Sequence, residues 1–216
     1  MRLAHISTDE VLGVRTPRRT KLYAIVNPTT LKPKTLKLKC STDVFKNWPL
    51  GHGQFRVSSN FGPLVPTIQE AKNNGFDDVL WLLDGYIKEM TIINVFMLWK
   101  TRYGKLELVT PPNDGCIFNG TVRKSIVELA EEIERESGVK VVEKNISVHE
   151  MISAHHEGRL LEFFGCATSC NIQPVSRIVY ENESIELTKT QFSSYLNTKI
   201  TSIMSGPADH KWITSF

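Results

Sequence analysis

Two apolar runs on either side of one Asp-Gly pair constrain this chain more than any other feature. They are residues 78–83 (DVLWLL) and 92–100 (IINVFMLWK), with Asp84-Gly85 between them. Each run is short and continuous, as a buried strand is. Asp-Gly favours the positive φ of a tight hairpin turn, so the spacing predicts that the two runs pair. Further strands are expected at 106–110, stopped by Pro111-Pro112, and at 140–142, 160–164 and 178–180. Residues 21–28 (KLYAIVNP) read as a buried strand stopped by Asn-Pro, and residues 29–39 (TTLKPKTLKLK) as a solvated loop leading into an edge strand. Helical spacing appears at 63–73, closed by Asn74-Gly75, and at 148–157, closed by Gly158. Residues 124–137 form the clearest helix, with Ile126, Val127, Ala130 and Ile133 on one stripe, and 191–204 form a C-terminal one. Strands and helices alternate while hairpins intervene. The fold class this predicts is α/β (mixed α+β): a mixed sheet wrapped by helices, not a purely parallel one.

Composition matters chiefly for what it excludes. A chain of 216 residues with 41% hydrophobic and 23% charged residues can bury a core, so wholesale disorder and fibrous structure are out. No apolar run approaches the length of a membrane span. The net charge of +3 falls short of a nucleic-acid-binding signature. Four cysteines, Cys40, Cys116, Cys166 and Cys170, are too sparse for a disulfide scaffold and read as reduced thiols of an intracellular protein. The first ten residues lack an apolar run and do not read as a targeting peptide.

Chemistry concentrates in two stretches. In residues 110–125 (TPPNDGCIFNGTVRKS) a strand ends, a loop follows, and a helix starts just after Gly120. Amides at such a helix start attract an anion. Gly115 and Gly120 have P-loop spacing, but no Lys-Ser/Thr pair follows Gly120, so a nucleotide P-loop is a poor match. In residues 164–175 (FGCATSCNIQPV), Thr168 and Ser169 offer hydroxyls and amides for a second anion cradle. Cys166 and Cys170 are not a Cys-x-x-Cys pair, and His155 and His156 read as a solvated helix end. Glu89, expected between two strands, matters only if it is buried beside a cation.

In order along the chain, these stretches resemble the C-terminal large domain of eukaryotic branched-chain amino-acid aminotransferases, pyridoxal-phosphate enzymes of fold type IV. The segments that carry the likeness are Leu12-Gly13-Val14 with Pro17, Asn60-Phe61-Gly62-Pro63, Val79-Leu80-Trp81-Leu82, Asn94-Val95-Phe96, residues 106–112, 120–123 and 162–165, Pro174-Val175, and His210-Lys211-Trp212. The resemblance implies that Glu89 faces the cofactor's pyridine nitrogen, that the amides of Thr121 and Val122 after Gly120 hold its phosphate, and that Thr168 and Ser169 meet phosphate and substrate carboxylate. Asn60 matches the Asn of the family's Asn-Tyr-Gly. Cys170 matches the first cysteine of a redox Cys-x-x-Cys.

Departures from the family pattern fall on the reacting groups. Where the family reads Tyr-Lys-Leu-Gly-Gly, this chain reads Phe55-Arg56-Val57-Ser58-Ser59, so Arg56 replaces the Schiff-base lysine. Phe61 replaces a tyrosine, Thr91-Ile92 replaces Gly-Thr beside Glu89, Ala167 replaces a glycine, and Gln173 replaces the resolving cysteine of Cys170. The resemblance further implies that residues 1–20 are a remnant of the interdomain segment, that 21–216 form the large domain, and that the N-terminal small domain is absent. The expected function is that of a catalytically inactive relative serving as a structural or interaction subunit. Its exposed former interdomain face would be covered by a protein partner or a second copy, and its pyridoxal phosphate would be absent or weakly, non-covalently bound. The alternative is a working transaminase of leucine, isoleucine and valine with 2-oxoglutarate. The resemblance favours a mitochondrial over a cytoplasmic location.

Overall fold

The computed structural model describes residues 2–11, 13–28, 35–205, 210 and 212–213, so Leu12, Lys211 and residues 29–34 lie outside the described residues. The chain divides into two compact units, Met1–Lys32 and Pro33–Phe216.

The first unit is one antiparallel ribbon. β1 (Arg2–Ser7) pairs with β2 (Thr20–Ile25), from Arg2 opposite Ile25 to Ser7 opposite Thr20. The Asp9 carboxylate ties the connecting loop by accepting the amides of Arg18 (2.9 Å) and Arg19 (2.8 Å) and the guanidinium of Arg15 (3.0 Å). The strand expected at 21–28 exists but is not buried: every residue of β2 is exposed. A two-stranded ribbon brings no second layer of its own to cover either face.

The second unit contains β3 (Leu36–Cys40), α1 (Val65–Asn73), β4 (Asp78–Leu83), β5 (Tyr86–Met90), β6 (Asn94–Lys100) and β7 (Leu106–Thr110). There follow α2 (Thr121–Glu128), α3 (Ala130–Ser137), β8 (Lys140–Glu143), α4 (Val148–His156), β9 (Leu160–Ala167), β10 (Asn171–Tyr180), β11 (Glu183–Glu186) and α5 (Gln191–Ser205). The pairings run β10–β3–β4–β5–β6, and β9 joins β6 back to β10, so six strands close a ring; β11 adds to β10, and β7 and β8 add beyond β6. Pairing is mixed, because β3 runs parallel to both β10 and β4 while the hairpins are antiparallel.

Strand alternation sorts the core. Leu38 and Cys40, Leu80 and Leu82, Met90, Val95 and Met97, Phe163, and Val175 and Ile178 fill one cluster, drawn from every strand of the ring, and α4 adds Val148, Met151 and Ile152. The alternate residues face outward. Phe96, Leu98, Leu108 and Phe164 pack beneath α2, α3 and α5, while Val79 and Trp81 pack beneath α1. α4 begins with a reciprocal capping box between Ser147 and Glu150.

Four further sequence expectations need correction. The Asp84-Gly85 turn leads into β5, which the apolar pattern hides, so the hairpin is β4–β5 and β6 is a separate strand. β3 is not an edge strand: Leu36, Leu38 and Cys40 alternate inward between β10 and β4, and the interleaved lysines face outward. The helix at 124–137 is two helices, broken at Leu129, and the first begins at Thr121, just after Gly120 as the loop pattern there predicts. The strands expected at 160–164 and 178–180 are longer, Leu160–Ala167 and Asn171–Tyr180, and they meet in a hairpin with 168–170 as turn.

Candidate functional site

Registration across the sheet places the site. Trp81 on β4, Glu89 on β5, Asn94 on β6 and Cys166 on β9 are register partners in one row, so their side chains share the outward face. Between Trp81 and Leu82 the pairing skips Lys88, which is therefore the extra residue of a β-bulge beside Glu89. The bulge lets two consecutive charged residues both be buried. Lys88 reaches Asp114 (2.9 Å) and Asn145 (3.2 Å), and Glu89 turns to the other partner set.

Glu89 is 1% exposed. Its Oε1 accepts from Lys46 Nζ at 2.7 Å and from Asn47 Nδ2 at 3.0 Å. Its Oε2 accepts from Asn94 Nδ2 at 3.2 Å and from the Phe118 amide at 3.0 Å. Burial raises the Glu89 carboxyl above the ordinary glutamate range, and the Lys46 ammonium and the Phe118 and Asn47 donors oppose that rise. Lys46 comes from the irregular segment after β3 and is itself 6% exposed, with its ammonium 5.7 Å from the centroid of the Phe61 ring. Glu89 is therefore buried beside a cation, and that cation is the chain's own Lys46.

Two loops meet over this carboxylate. Asn47 also donates to the Cys116 carbonyl (3.0 Å), and a Cβ on Gly53 would lie 2.6 Å from the Gly115 carbonyl oxygen, so segment 41–57 is seated on loop 111–120. Burial pushes the Asp114 carboxyl up, but the Lys88 ammonium and the Cys116 amide together outweigh it and hold the group below the usual carboxylate range. Arg123, nearly buried on α2, donates to the Pro111 carbonyl (2.6 Å) and to Glu143, fixing where the helix begins.

Arg56, Asn60, Phe61, Thr91, Ile92, Phe118 and Lys46 surround one small cavity beside Glu89. Asn60 Nδ2 bonds the carbonyls of His52 (2.9 Å) and Phe55 (3.3 Å), which fixes the bend that carries the exposed Arg56. Thr91 is pinned between Asp78 and the Trp81 indole. Gly120 caps α2, whose first turn has no side-chain cap, leaving the amides of Thr121 and Val122 without an intrahelical acceptor. The space beside the Gly120 Cα holds Asn94 instead: a Cβ there would stand 2.1 Å from Asn94 Oδ1. Thr168 and Ser169 are exposed in the β9–β10 turn, Cys170 is half-buried there, and Gln173 lies opposite Gly165. None of these four lines the Arg56 cavity.

Sequence reading brought out Arg56, Phe61, Glu89, Gly120 and Thr121, but missed Lys46 and Asn47 as well as the site role of Asn94. An amphipathic period marks a residue's face, whereas Lys46 sits in a segment without regular structure and is buried only through a partner 43 positions away. Among the described residues there is no cluster of His, Cys, Asp and Glu that would hold a metal, and no helix is long and apolar enough to cross a membrane.

Comparison with known proteins decides the family. Residues 4–178 match the amino-transferase class IV family. The chain belongs to the class IV aminotransferases. It is 36% identical over 193 residues to the mitochondrial branched-chain-amino-acid aminotransferase of Schizosaccharomyces pombe, covering 87% of this chain and 45% of that protein. It is 33% identical over 222 residues to the mitochondrial enzyme of Bos taurus (96% and 55% covered), and 32% over 225 residues to the cytosolic enzyme of Rattus norvegicus (98% and 54%). The chain thus spans about half the length of the curated relatives it matches. In fold it is similar to the branched-chain aminotransferase of Thermoproteus uzoniensis, with a TM-score of 0.66 at 19% identity, covering 85% of this chain and 56% of that one. The pyridoxal-phosphate form of the Thermobaculum terrenum enzyme gives 0.65 at 20% identity, covering 85% and 55%. The mixed sheet with flanking helices is the fold type IV architecture.

The class IV family implies pyridoxal phosphate, and at Glu89 the residues present do not fit its ring nitrogen. The pocket beside the carboxylate is open to solvent on one side, and its enclosed part is about 10 Å³, the room of a single water. All four acceptor positions of the Glu89 carboxylate are taken by protein donors.

Proposed function

We propose that this chain is a catalytically silent branched-chain-aminotransferase-like protein that acts through its surface. One observation supports the reading: Arg56, which by resemblance stands where the family has its Schiff-base lysine, lines the small cavity that it shares with Lys46 and Phe118. Amino transfer needs an amine that can lose its proton, attack an aldehyde and later move the substrate's α-proton. A guanidinium stays protonated and delocalised at any physiological pH, so Arg56 can do neither. Losing a nucleophile that is also the acid/base costs on the order of 10⁴-fold or more in rate. Arg56 retains one capability, that of holding an anion by charge and paired donors.

A surface role draws support from segment 41–57, where Phe45, Trp48, Leu50 and Phe55 are 47% to 105% exposed although they flank the site. Aromatic and aliphatic side chains left in water this way mark a contact surface. A protein partner or a second copy of the chain is the occupant this reading assigns to that surface, with no nucleic acid. Relatives bear mitochondrial and cytosolic names alike; an intracellular protein fits both, and a mitochondrial one is our proposal.

A working branched-chain transaminase is the competing reading. Its support is the retained Glu89, the open amides at the start of α2, and the names of the relatives. Mixing the protein with pyridoxal phosphate and recording the absorbance of a Schiff base, then reducing with borohydride and mapping the modified peptide, separates the two. Catalytic silence predicts no adduct on the site. A reducible adduct on a site lysine would favour the working enzyme.

A further inference from the structure

We propose that Lys46 is the resident cation of Glu89, and that it closes this carboxylate to any aromatic nitrogen cation from outside the chain. Position 46 is then the residue that decides whether the site takes a pyridine ring. This goes beyond the chemistry of Arg56. It concerns whether a ring binds, so a protein that binds the ring yet transfers no amino group would sink this inference and leave catalytic silence standing.

Stoichiometry of hydrogen bonds is the first argument. An ionised carboxylate offers about four lone-pair positions. Glu89 has four protein donors within 3.2 Å, two on each oxygen: Lys46 and Asn47, then Asn94 and the Phe118 amide. A pyridinium N–H would have to displace one of them. Asn47 also bonds the Cys116 carbonyl and Asn94 also bonds the Phe118 carbonyl (2.8 Å), and the Phe118 amide is backbone. Lys46 is the one donor on a flexible stem, and the one that carries the charge.

Charge and space agree with that count. The Lys46 ammonium supplies the single positive charge that a protonated ring nitrogen would bring, at the short distance of a charge-assisted bond. A second cation placed against one buried carboxylate would be left without a counter-charge. Lys46 also donates weakly to the Met90 carbonyl (3.4 Å) and lies against the Phe61 ring, so its stem fills the volume between Glu89 and the cavity. The enclosed space left there is about 10 Å³, in a pocket open to solvent on one side.

The test uses the full chain and pyridoxine 5′-phosphate, which has the ring and phosphate but no aldehyde and so cannot form Schiff bases with surface lysines. Its affinity is measured by titration calorimetry for the wild type, Lys46→Ala, and Lys46→Ala with Glu89→Gln. Removing Lys46 is expected to tighten binding by about tenfold or more, the worth of one charge-assisted hydrogen bond, and the second substitution to abolish the gain. Equal affinity of wild type and Lys46→Ala overturns the inference, and so does a gain that survives Glu89→Gln. Should the variants not fold, acetylation of the wild type decides. Lys46 is expected to stay unmodified while the exposed Lys72 and Lys124 react, and acetylation of Lys46 at their rate would overturn the inference.

Discussion

Replacing Lys46 by methionine keeps the length and apolar stem of the side chain and removes only the ammonium. The partner carboxylate is 1% exposed, so the variant strands a buried charge rather than a solvated one. Breaking a buried ion pair in this way costs about 3–5 kcal/mol, against well under 1 kcal/mol for an exposed pair. For a chain of this size each kcal/mol corresponds to roughly 2–4 °C in melting temperature, so Lys46→Met should melt about 6–20 °C lower. Lys46→Met combined with Glu89→Gln should cost less than the sum of the two single variants, with a coupling of about 1–3 kcal/mol. Acid should narrow the gap between Lys46→Met and wild type. Burial raises the folded-state pKa of Glu89, and removing the ammonium leaves that rise unopposed by its main counterweight. A carboxyl with a raised folded pKa binds its proton more readily folded than unfolded. The variant therefore regains stability as pH falls through that folded pKa. Urea or thermal unfolding at neutral pH and at about pH 5 provides the assay. A loss below about 1 kcal/mol, or a gap that widens in acid, would refute the buried Lys46–Glu89 pair.

Further expectations concern the loops around the pair. Asp114 is held below the usual carboxylate range, so the stability it lends is present above the unfolded carboxylate range and is lost as pH falls through its depressed folded pKa; Asp114→Asn should flatten the acid limb of a pH–stability curve. Gly120→Ala would put a Cβ 2.1 Å from Asn94 Oδ1 and should cost about 1–3 kcal/mol in chemical unfolding, with part of the loss recovered by Asn94→Ala in the same chain. Among the thiols, half-buried Cys170 should react first with a thiol reagent under native conditions, while Cys40, pushed up to about 12 by burial, should react only on unfolding.

How much of this was legible in the sequence depended on whether the deciding contacts were local. β4 and β7 were bounded by their turn residues and emerge over 78–83 and 106–110 as read. The start of α2 just after Gly120 followed from the change of pattern there. β5 was invisible because its Tyr-Ile-Lys-Glu-Met sequence carries two charges that only distant partners, Asp114 and Lys46, make buriable. Closing the ring of strands depends on β9 reaching both β6 and β10, a long-range pairing that no short window of sequence contains. Resemblance assigns Arg56 and Glu89 to one site, but it carries no hint that a lysine ten residues before Arg56 turns inward to satisfy the carboxylate and lines the same cavity as Arg56.

The central claim, that this class IV chain transfers no amino group because position 56 lacks a usable amine, is tested most directly by isotope transfer. Purified protein is incubated with excess pyridoxal phosphate, ¹⁵N-labelled leucine and 2-oxoglutarate, and labelled glutamate is followed by mass spectrometry. The account predicts formation at the rate of the protein-free control. Labelled glutamate accumulating in proportion to protein concentration would contradict it.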